Sequence, residues 1–535
     1  CLRVPRAAPW LPHTHGDPAL HVVHVELVLD DGRSIRVGER RVGFRTVDAG
    51  VDLPGDDGLA LSISGVPVFC RGALWTPVDP VALAAPSDRV RERLVQLRDA
   101  GLNMVRVPGT GVYEEDAFHA ACDELGILVW HDLMLANMDY PVDDPAFAAL
   151  LGREVEVELE RLGGHASTAV VCGGSEVEQQ ATMVGLPPSA ARNAFVATTL
   201  PALALHACPG IPVVPSSPCG GDLPFRTAQG IAHYFGVGAY LRPLADARAA
   251  AVRFASECLA FANVPEQATL DAMSRGVPGG ITPTHPAWKR GVPRDTGAGW
   301  DFDDVRDRYL ALLYDVDPVL LRSTDPELYL ELSRLVSGEV MAEVVGEWRR
   351  TGSPCAGALV LQAGDLVPGA GWGLIDAGGT PKPAYHVLRR ACLSRAVWST
   401  DEGLDGIDVH VANDASEPLF GELHIVLMRL DGRISDETRT PLALPARASV
   451  TFGVEALLGR FVDAAYAYRF GPRGHDLVVA SVRADGDDVP GLVHVRHLGP
   501  RPTRRETTAR LGLTGTLDAL PDGMLRATVR AEALA

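Results

Sequence analysis

The chain is nearly without lysine: Lys289 and Lys382 are the only two among 535 residues, and arginine carries the rest of the positive charge. This reads as a compositional bias rather than a functional feature. Positive charge is also outnumbered, giving a formal net charge of −19. That argues against a nucleic-acid partner, which would need a basic face for the phosphates, and leaves an acidic surface whose plain consequence is solubility. Long apolar runs are missing too; none reaches the roughly 18–20 residues that a membrane span requires. The nine cysteines (Cys1, Cys70, Cys122, Cys172, Cys208, Cys219, Cys258, Cys355, Cys392) are scattered, odd in number and form no C-x-x-C pair. Such spacing gives neither a disulfide framework nor a zinc site. Reduced thiols in a cytoplasmic protein are the reading that fits. No signal peptide is visible, yet the chain opens on Cys1 in what reads as the middle of a β-domain. A missing N-terminus is expected, with a processed lipoprotein cysteine as the alternative.

What is present is the composition of an ordinary globular protein, 47% hydrophobic and 22% charged. The length is too great for one core and predicts about three or four units. Residues 20–50 alternate as strands: His21 to Leu29, a turn at Asp30-Asp31-Gly32, a second strand through Val37 and a third at Val42-Gly43-Phe44-Arg45. This predicts the C-terminal part of an immunoglobulin-like β-sandwich over 1–55. A hairpin follows, Leu61-Ser62-Ile63 against Val66-Pro67-Val68, leading to Gly72-Ala73-Leu74-Trp75.

Strands and helices then alternate. Helices are predicted over 88–100, 114–125, 145–162, 189–207, 302–315 and 326–350. The strands are Asn103–Val107, Ile127–Asp132, Ala169–Cys172, Pro212–Pro215, Gly230–Phe235, Val252–Ser256 and Gly357–Gln362. With the strand ending near Ala73 this makes eight, so residues 56–394 predict a (β/α)8 TIM barrel. Beyond 395 the alternation stops, and strand patterns such as Gly406–Val411 and Leu423–Met428 predict a second immunoglobulin-like sandwich to 498. Residues 499–535 read as a linker and a partial β-domain.

Two of the barrel strands end in the same dipeptide, Ser175-Glu176 after the fourth and Ser256-Glu257 at the seventh. Burying a carboxylate at a strand mouth is unfavourable unless the charge is paired or used. Barrel enzymes place their chemistry at this C-terminal face, and two facing carboxylates are what glycosidic cleavage needs. The structural alternative is a pair of salt-bridged glutamates.

At this point the chain resembles glycoside hydrolase family 2, in its β-mannosidase-like branch, over roughly residues 9–395. The most specific stretch runs from Asn103-Met104-Val105-Arg106-Val107 through Tyr113-Glu114-Glu115-Asp116 to Cys122-Asp123-Glu124-Leu125-Gly126-Ile127-Leu128-Val129-Trp130. Pro215-Ser216-Ser217-Pro218 and Arg253-Phe254-Ala255-Ser256-Glu257 follow in the family's order, while Pro12–Pro18 and Val42–Arg45 resemble its sandwich signature and exit strand. The resemblance implies Glu176 as acid/base and Glu257 as nucleophile of a retaining exo-glycosidase acting on terminal β-linked sugars, most simply β-mannoside-like. It also implies an N-terminal jelly-roll domain, which this sequence reads as lacking. The carboxyls should then lie about 5–5.5 Å apart, with the Glu176 pKa raised by Glu257 and by burial.

Six further residues are candidates for substrate binding. Arg106 is expected to orient Glu257 through a bidentate bond, or to be a plain barrel-mouth salt bridge. Trp75 is a candidate sugar platform or a core tryptophan. His233 and Tyr234, ending the sixth strand, are expected to bond sugar hydroxyls or Glu257, with a structural role as the alternative. Asp132 either touches substrate or braces the mouth. Ser175 stands where the family has an asparagine for the sugar 2-hydroxyl.

Other departures are Pro108-Gly109-Thr110-Gly111 for Trp-Gly-Gly-Gly, Phe235 for a tryptophan, and Leu361-Gln362-Ala363-Gly364-Asp365 for a Trp-rich motif. The pocket is therefore expected to have lost aromatic walls. Two alternatives remain open: a non-catalytic carbohydrate-binding scaffold on the same fold, and an exo-glycosidase for another sugar such as a glucosaminide or galactoside. No cofactor or metal is expected; the partner is an oligosaccharide or glycoside, and oligomeric state is not readable. Gly109-Thr110-Gly111 is no dinucleotide fingerprint, and His13-Thr14-His15 reads as a turn rather than a metal site.

Overall fold

The computed structural model describes residues 4–50, 58–138, 140–487, 489–520 and 525–533. Cys1 and the domain boundary expected at 55/56 lie outside the described residues. The chain divides into two compact units. One comprises Cys1–Tyr309, Pro318–Ser394 and Asp414–Ser416; the other comprises Leu310–Asp317, Arg395–Asn413 and Glu417–Ala535.

The first unit is built on eight parallel strands: β1 (Cys70–Leu74), β2 (Met104–Val107), β3 (Leu128–Asp132), β4 (Thr168–Cys172), β5 (Val213–Val214), β6 (Ala232–Tyr234), β7 (Ala255–Cys258) and β8 (Gly357–Val360). β1 to β4 and β8 are buried along their whole length. This is why they read as continuous apolar runs rather than alternating ones, as expected of a parallel sheet covered on both faces. Their order is β5-β4-β3-β2-β1-β8-β7-β6. The sheet is strongly curled: Arg106 of β2 reaches the Ser256 carbonyl of β7 at 3.1 Å.

The expected closed barrel is found as an open sheet. No ladder joins the edge strands β5 and β6 among the described residues. These are the two shortest strands, and the chain between them turns back on itself, Cys219 and Ile231 exchanging antiparallel bonds of 2.9 and 3.0 Å instead.

Three crossover helices lie close to their predicted bounds because their ends carry local signals. Helix α1 spans Ser87–Asp99 and α2 Asp116–Leu125, the latter stopped by Gly126 at φ +68°. Helix α3 (Pro145–Gly163) opens on Asp144, whose carboxylate accepts from Ala146 and Phe147 N–H at 2.8 and 3.4 Å, with Pro145 next.

The helix expected over 189–207 is broken. A turn at Pro188–Ala191, a π-helical turn at Phe195–Thr199 and helix α4 (Leu200–Ala207) replace it. Pro201 has no N–H for the preceding turn, and the Asn193 side chain takes the Val196 N–H at 3.1 Å.

Before β1, His21–Val28 pairs with one long strand, Ser34–Val42, in place of the two predicted. Most of this hairpin is exposed. The chain leaves it at Gly43, where a side chain would collide with Trp10 and Ala166, and the Phe44 carbonyl then accepts from Trp10 N–H at 2.8 Å. The Leu61–Ile63 and Val66–Val68 hairpin forms as expected and gains a third strand, Val47–Asp48. His13-Thr14-His15 is a turn.

The second unit holds a three-stranded and a four-stranded antiparallel sheet. Its strands are β9 (Arg395–Asp401), β10 (Ile407–Asn413), β11 (Leu419–Met428), β12 (Ile434–Leu444), β13 (Ala448–Gly453), β14 (Leu477–Ala484) and β15 (Leu492–His497). They are ordered β9-β10-β13 and β12-β11-β14-β15. Val409 and Val411 from one sheet share a core with Leu423, Ile425 and Val478 from the other. A further hairpin joins Thr514–Ala519 to Leu525–Arg530.

Among the described residues no helix is long and apolar enough to cross a membrane. The eight described cysteines are buried and unbridged.

Candidate active site

Glu176 is delivered by a turn that tolerates little else. A side chain at Gly173 would strike the Pro215 carbonyl, and Gly174 sits at φ +146°. Glu176 itself takes the left-handed conformation, φ +56°, before the short helix Val177–Met183. Such backbone in a residue with a side chain is strained and tends to mark functional positions.

Glu257 projects from within β7 rather than from its end, since the strand runs on to Cys258. His233 of β6 lies between the two carboxylates, its Nδ1 2.9 Å from Glu176 Oε1 and 3.5 Å from Glu257 Oε2. One ligating atom from each of Glu176, His233 and Glu257 falls within 4.8 Å of the other two.

The Glu176 carboxyl departs from expectation. Burial pushes its pKa up, but the hydrogen bond and charge of His233 and the amides of Gln180 and Gln179, at 3.2 and 2.9 Å, outweigh burial and hold it below the ordinary value. Sequence reasoning missed both glutamines. Their approach depends on the left-handed turn at Glu176, which no local sequence signal announces.

Arg106 divides its donors. The fork faces Asp132, with Nη2 2.7 Å from Oδ2 and Nε 3.4 Å from Oδ1, and only Nη1 reaches Glu257, at 3.1 Å. The bidentate bond expected for Glu257 is thus made to Asp132. Arg106 and Asp132 are fully buried. Burial works against both charges, yet the pair overcomes it: Asp132 and Glu257 raise the Arg106 pKa, while Arg106, Ser175 and Trp130 lower that of Asp132.

Ser175 belongs to the same network. Its Oγ donates to Asp132 Oδ2 at 2.7 Å and accepts from Arg106 Nη2 at 3.0 Å and Gly109 N–H at 2.9 Å. A hydroxyl has one donor and two acceptor sites, so its capacity is filled within the protein. Tyr234 is similarly engaged, donating to Asp246 at 2.8 Å and accepting from Val237 N–H at 3.2 Å.

Above this layer opens a cavity of about 1240 Å³. Ser175, Glu176, His233, Tyr234, Glu257 and Trp75 line it; Arg106 and Asp132 lie beneath. Trp75 is held by Nε1 donating to Glu114 Oε1 at 2.7 Å. The expected loss of aromatic walls is offset: Phe235 lines the cavity in the tryptophan's place, and Phe225, Tyr240, Phe302 and Trp372 join it, with Trp372 edge-on to Phe302. Phe225, Phe235, Tyr240 and Trp372 sit in loops and Phe302 opens the helix Phe302–Tyr314, a convergence that a linear reading does not show.

No protein-family model matches the chain. It is 29% identical over 427 residues to β-mannosidase B of Aspergillus flavus, 75% of this chain and 48% of that protein, and 28% identical over 413 residues to β-mannosidase B of Emericella nidulans. The chain spans about half the length of the curated relatives it matches. Among solved structures it resembles the β-D-mannosidase of Dictyoglomus thermophilum, with TM-score 0.76, 24% identity, and coverage of 92% of this chain and 58% of that one. It also shares the fold of an exo-chitosanase of Amycolatopsis orientalis, with TM-score 0.66, 17% identity, and coverage of 98% and 62%. The resemblance read from the sequence, to the β-mannosidase-like branch of glycoside hydrolase family 2, is borne out: the chain is similar in sequence to β-mannosidase B and in fold to a β-D-mannosidase.

Proposed function

We propose that this chain carries the catalytic centre of a retaining exo-β-glycosidase, with a β-mannoside-like terminal sugar as substrate. The observation that supports it most is the placement of Glu176 and Glu257 carboxylate oxygens within 4.8 Å of each other. Retaining enzymes hold their carboxyls about 5–5.5 Å apart, whereas inverting ones need about 6.5–9.5 Å to admit a water.

In this reading Glu176 protonates the glycosidic oxygen while Glu257 attacks the anomeric carbon, forming a glycosyl-enzyme and releasing the leaving alcohol. Glu176, now ionised, takes a proton from water, which attacks the same carbon and frees Glu257. Arg106 positions Glu257 through Nη1, and the Asp132–Ser175–Gly109 network fixes Arg106 from below. The β-mannoside preference rests on similarity to the β-mannosidase B sequences. The same reading takes the curled sheet as a (β/α)8 barrel and the second unit as an immunoglobulin-like sandwich.

The test is hydrolysis of a panel of p-nitrophenyl β-glycosides by the parent, Glu176→Gln and Glu257→Gln. Release of mannose by the parent, reduced at least about 100-fold in each variant, is expected. A parent inert on every sugar, or variants matching its rate, would overturn the reading. Binding without turnover would point to a scaffold, and release of another sugar alone would retain the mechanism and replace the substrate.

A further inference from the structure

The strand that carries Asp132 to the cavity carries a second functional group on its other face. Along β3 successive side chains alternate. Trp130 and Asp132 bond each other on the inner side, Nε1 to Oδ1 at 2.7 Å, so His131 points outward, toward α2 and α3. There it meets His119 of α2 and Glu158 of α3. Both imidazoles are 0% exposed and Glu158 is 5% exposed. One ligating atom from each of the three lies within 4.8 Å of the others, and His131 Nε2 stands 3.6 Å from Glu158 Oε1.

Neither ring nitrogen of His119 has a hydrogen-bond partner, and His131 has only a contact with the Asp132 backbone besides its approach to Glu158. Buried polar atoms are nearly always satisfied, so the unpartnered His119 ring beside a poorly satisfied His131 requires an explanation. Burial also favours the neutral imidazole, which is the form that ligates a metal. The surroundings hold the rings in place: Tyr113 stacks on His131 at 5.7 Å, and Phe118 meets His119 edge-on at 5.1 Å. His165, 5.1 Å beyond His119, has Nδ1 2.7 Å from Asp123 Oδ2. Arg161 forks onto Glu158, Nη2 to Oε1 at 2.6 Å and Nε to Oε2 at 3.0 Å. A carboxylate has about four lone-pair sites, so Glu158 can keep this partner and still offer Oε1 to an ion.

We propose that His119, His131 and Glu158 form a binding site for a divalent transition-metal ion. Two imidazoles and one carboxylate are the ligand set that zinc accepts, with water completing the shell. Zinc–ligand bonds of about 2.0–2.1 Å place neighbouring ligand atoms about 3.4 Å apart, close to the 3.6 Å between His131 Nε2 and Glu158 Oε1, with a His119 nitrogen within 4.8 Å of both. None of the three lines the catalytic cavity. The role is structural: the ion ties α2 and α3 to β3, directly behind Asp132.

The full chain, stripped with EDTA, is incubated with zinc chloride, freed of excess by gel filtration, and assayed for bound metal and thermal unfolding. About one zinc per chain and a raised unfolding temperature are expected for the parent and for His206→Gln, a variant of an exposed histidine. His119→Gln and His131→Gln should show neither. Cobalt loading of the parent adds a measurement independent of variant folding, with visible bands of a nitrogen- and oxygen-ligated ion expected. A parent without stoichiometric zinc and without those bands would show that the cluster is only a stack of neutral imidazoles. Zinc retained by His131→Gln would place the ion elsewhere, the Glu176–His233–Glu257 trio included, and would equally overturn the proposal.

Discussion

His233 is the residue on which the two candidate catalytic carboxylates converge, and it sets their balance. Because its Nδ1 and two glutamine amides hold Glu176 below the ordinary glutamate pKa, the free protein keeps this carboxyl ionised unless the medium is acidic. A general acid must be protonated, so kcat/KM should fall as pH rises through the Glu176 pKa and the optimum should be acidic. Removing the imidazole in His233→Leu removes a stabiliser of the ionised form and raises that pKa. The basic limb of the pH–kcat/KM profile is therefore expected to move to higher pH, whereas a purely structural His233 would lower the whole profile without shifting the limb. Ser175 shows the complementary case. Its identity was plain in the sequence, but its role was not, because only the fold shows that Asp132, Arg106 and Gly109 together fill its hydrogen-bonding capacity.

At the scale of the element, local signals and tertiary demands separate cleanly. Helices α2 and α3 could be delimited in advance because Gly126 ends one, and Asp144 with Pro145 begins the other. The broken segment before α4 reads as one helix in the sequence because apolar periodicity persists through Pro201 even though the hydrogen-bond ladder does not. The loop after β2 is governed by close approach. A side chain at Gly109 would run into the carbonyl oxygens of Leu133 and Leu135, and its N–H must reach Ser175. Gly109→Ala is therefore expected to destabilise the protein by about 1–3 kcal/mol in urea unfolding. It should also lower kcat by displacing Ser175 and, through it, Arg106; unchanged stability and rate would show that the loop relaxes freely.

Over the whole molecule, the first unit is held partly by charge in a largely apolar interior. Asp414 ion-pairs with Arg71 at 2.9 Å and Arg349 at 2.7 Å. Burial opposes its ionisation, but the two guanidinium groups prevail and bring its pKa down to about 2. A carboxyl depressed on folding stabilises the native state above its unfolded pKa, and that contribution fades as pH falls through the folded value. Asp414→Asn should cost at least about 2 kcal/mol at neutral pH, the depression converted to free energy. In paired urea titrations the gap between parent and variant should narrow as pH drops from about 4 toward 2. A gap independent of pH would mean that the pair acts through packing rather than charge.

The sequence by itself determined most of the strand–helix alternation, the two carboxylates at β4 and β7, and the antiparallel character of the region after 395. Each of these is written in local periodicity, in caps, or in the unfavourable placement of a charge beside an apolar strand. Tertiary structure alone decided that no ladder joins β5 to β6 among the described residues and that Arg106 turns its fork to Asp132. It also decided that Gln179 and Gln180 bind Glu176, that aromatics from separate segments line the cavity, and that His119, His131 and Glu158 meet behind β3. The glutamines lie only three and four residues from Glu176 and depend on its left-handed turn; the other four share one physical reason. Pairing, hydrogen-bond saturation and clustering depend on distances between residues far apart in the chain, and those distances exist only once the sheet has curled.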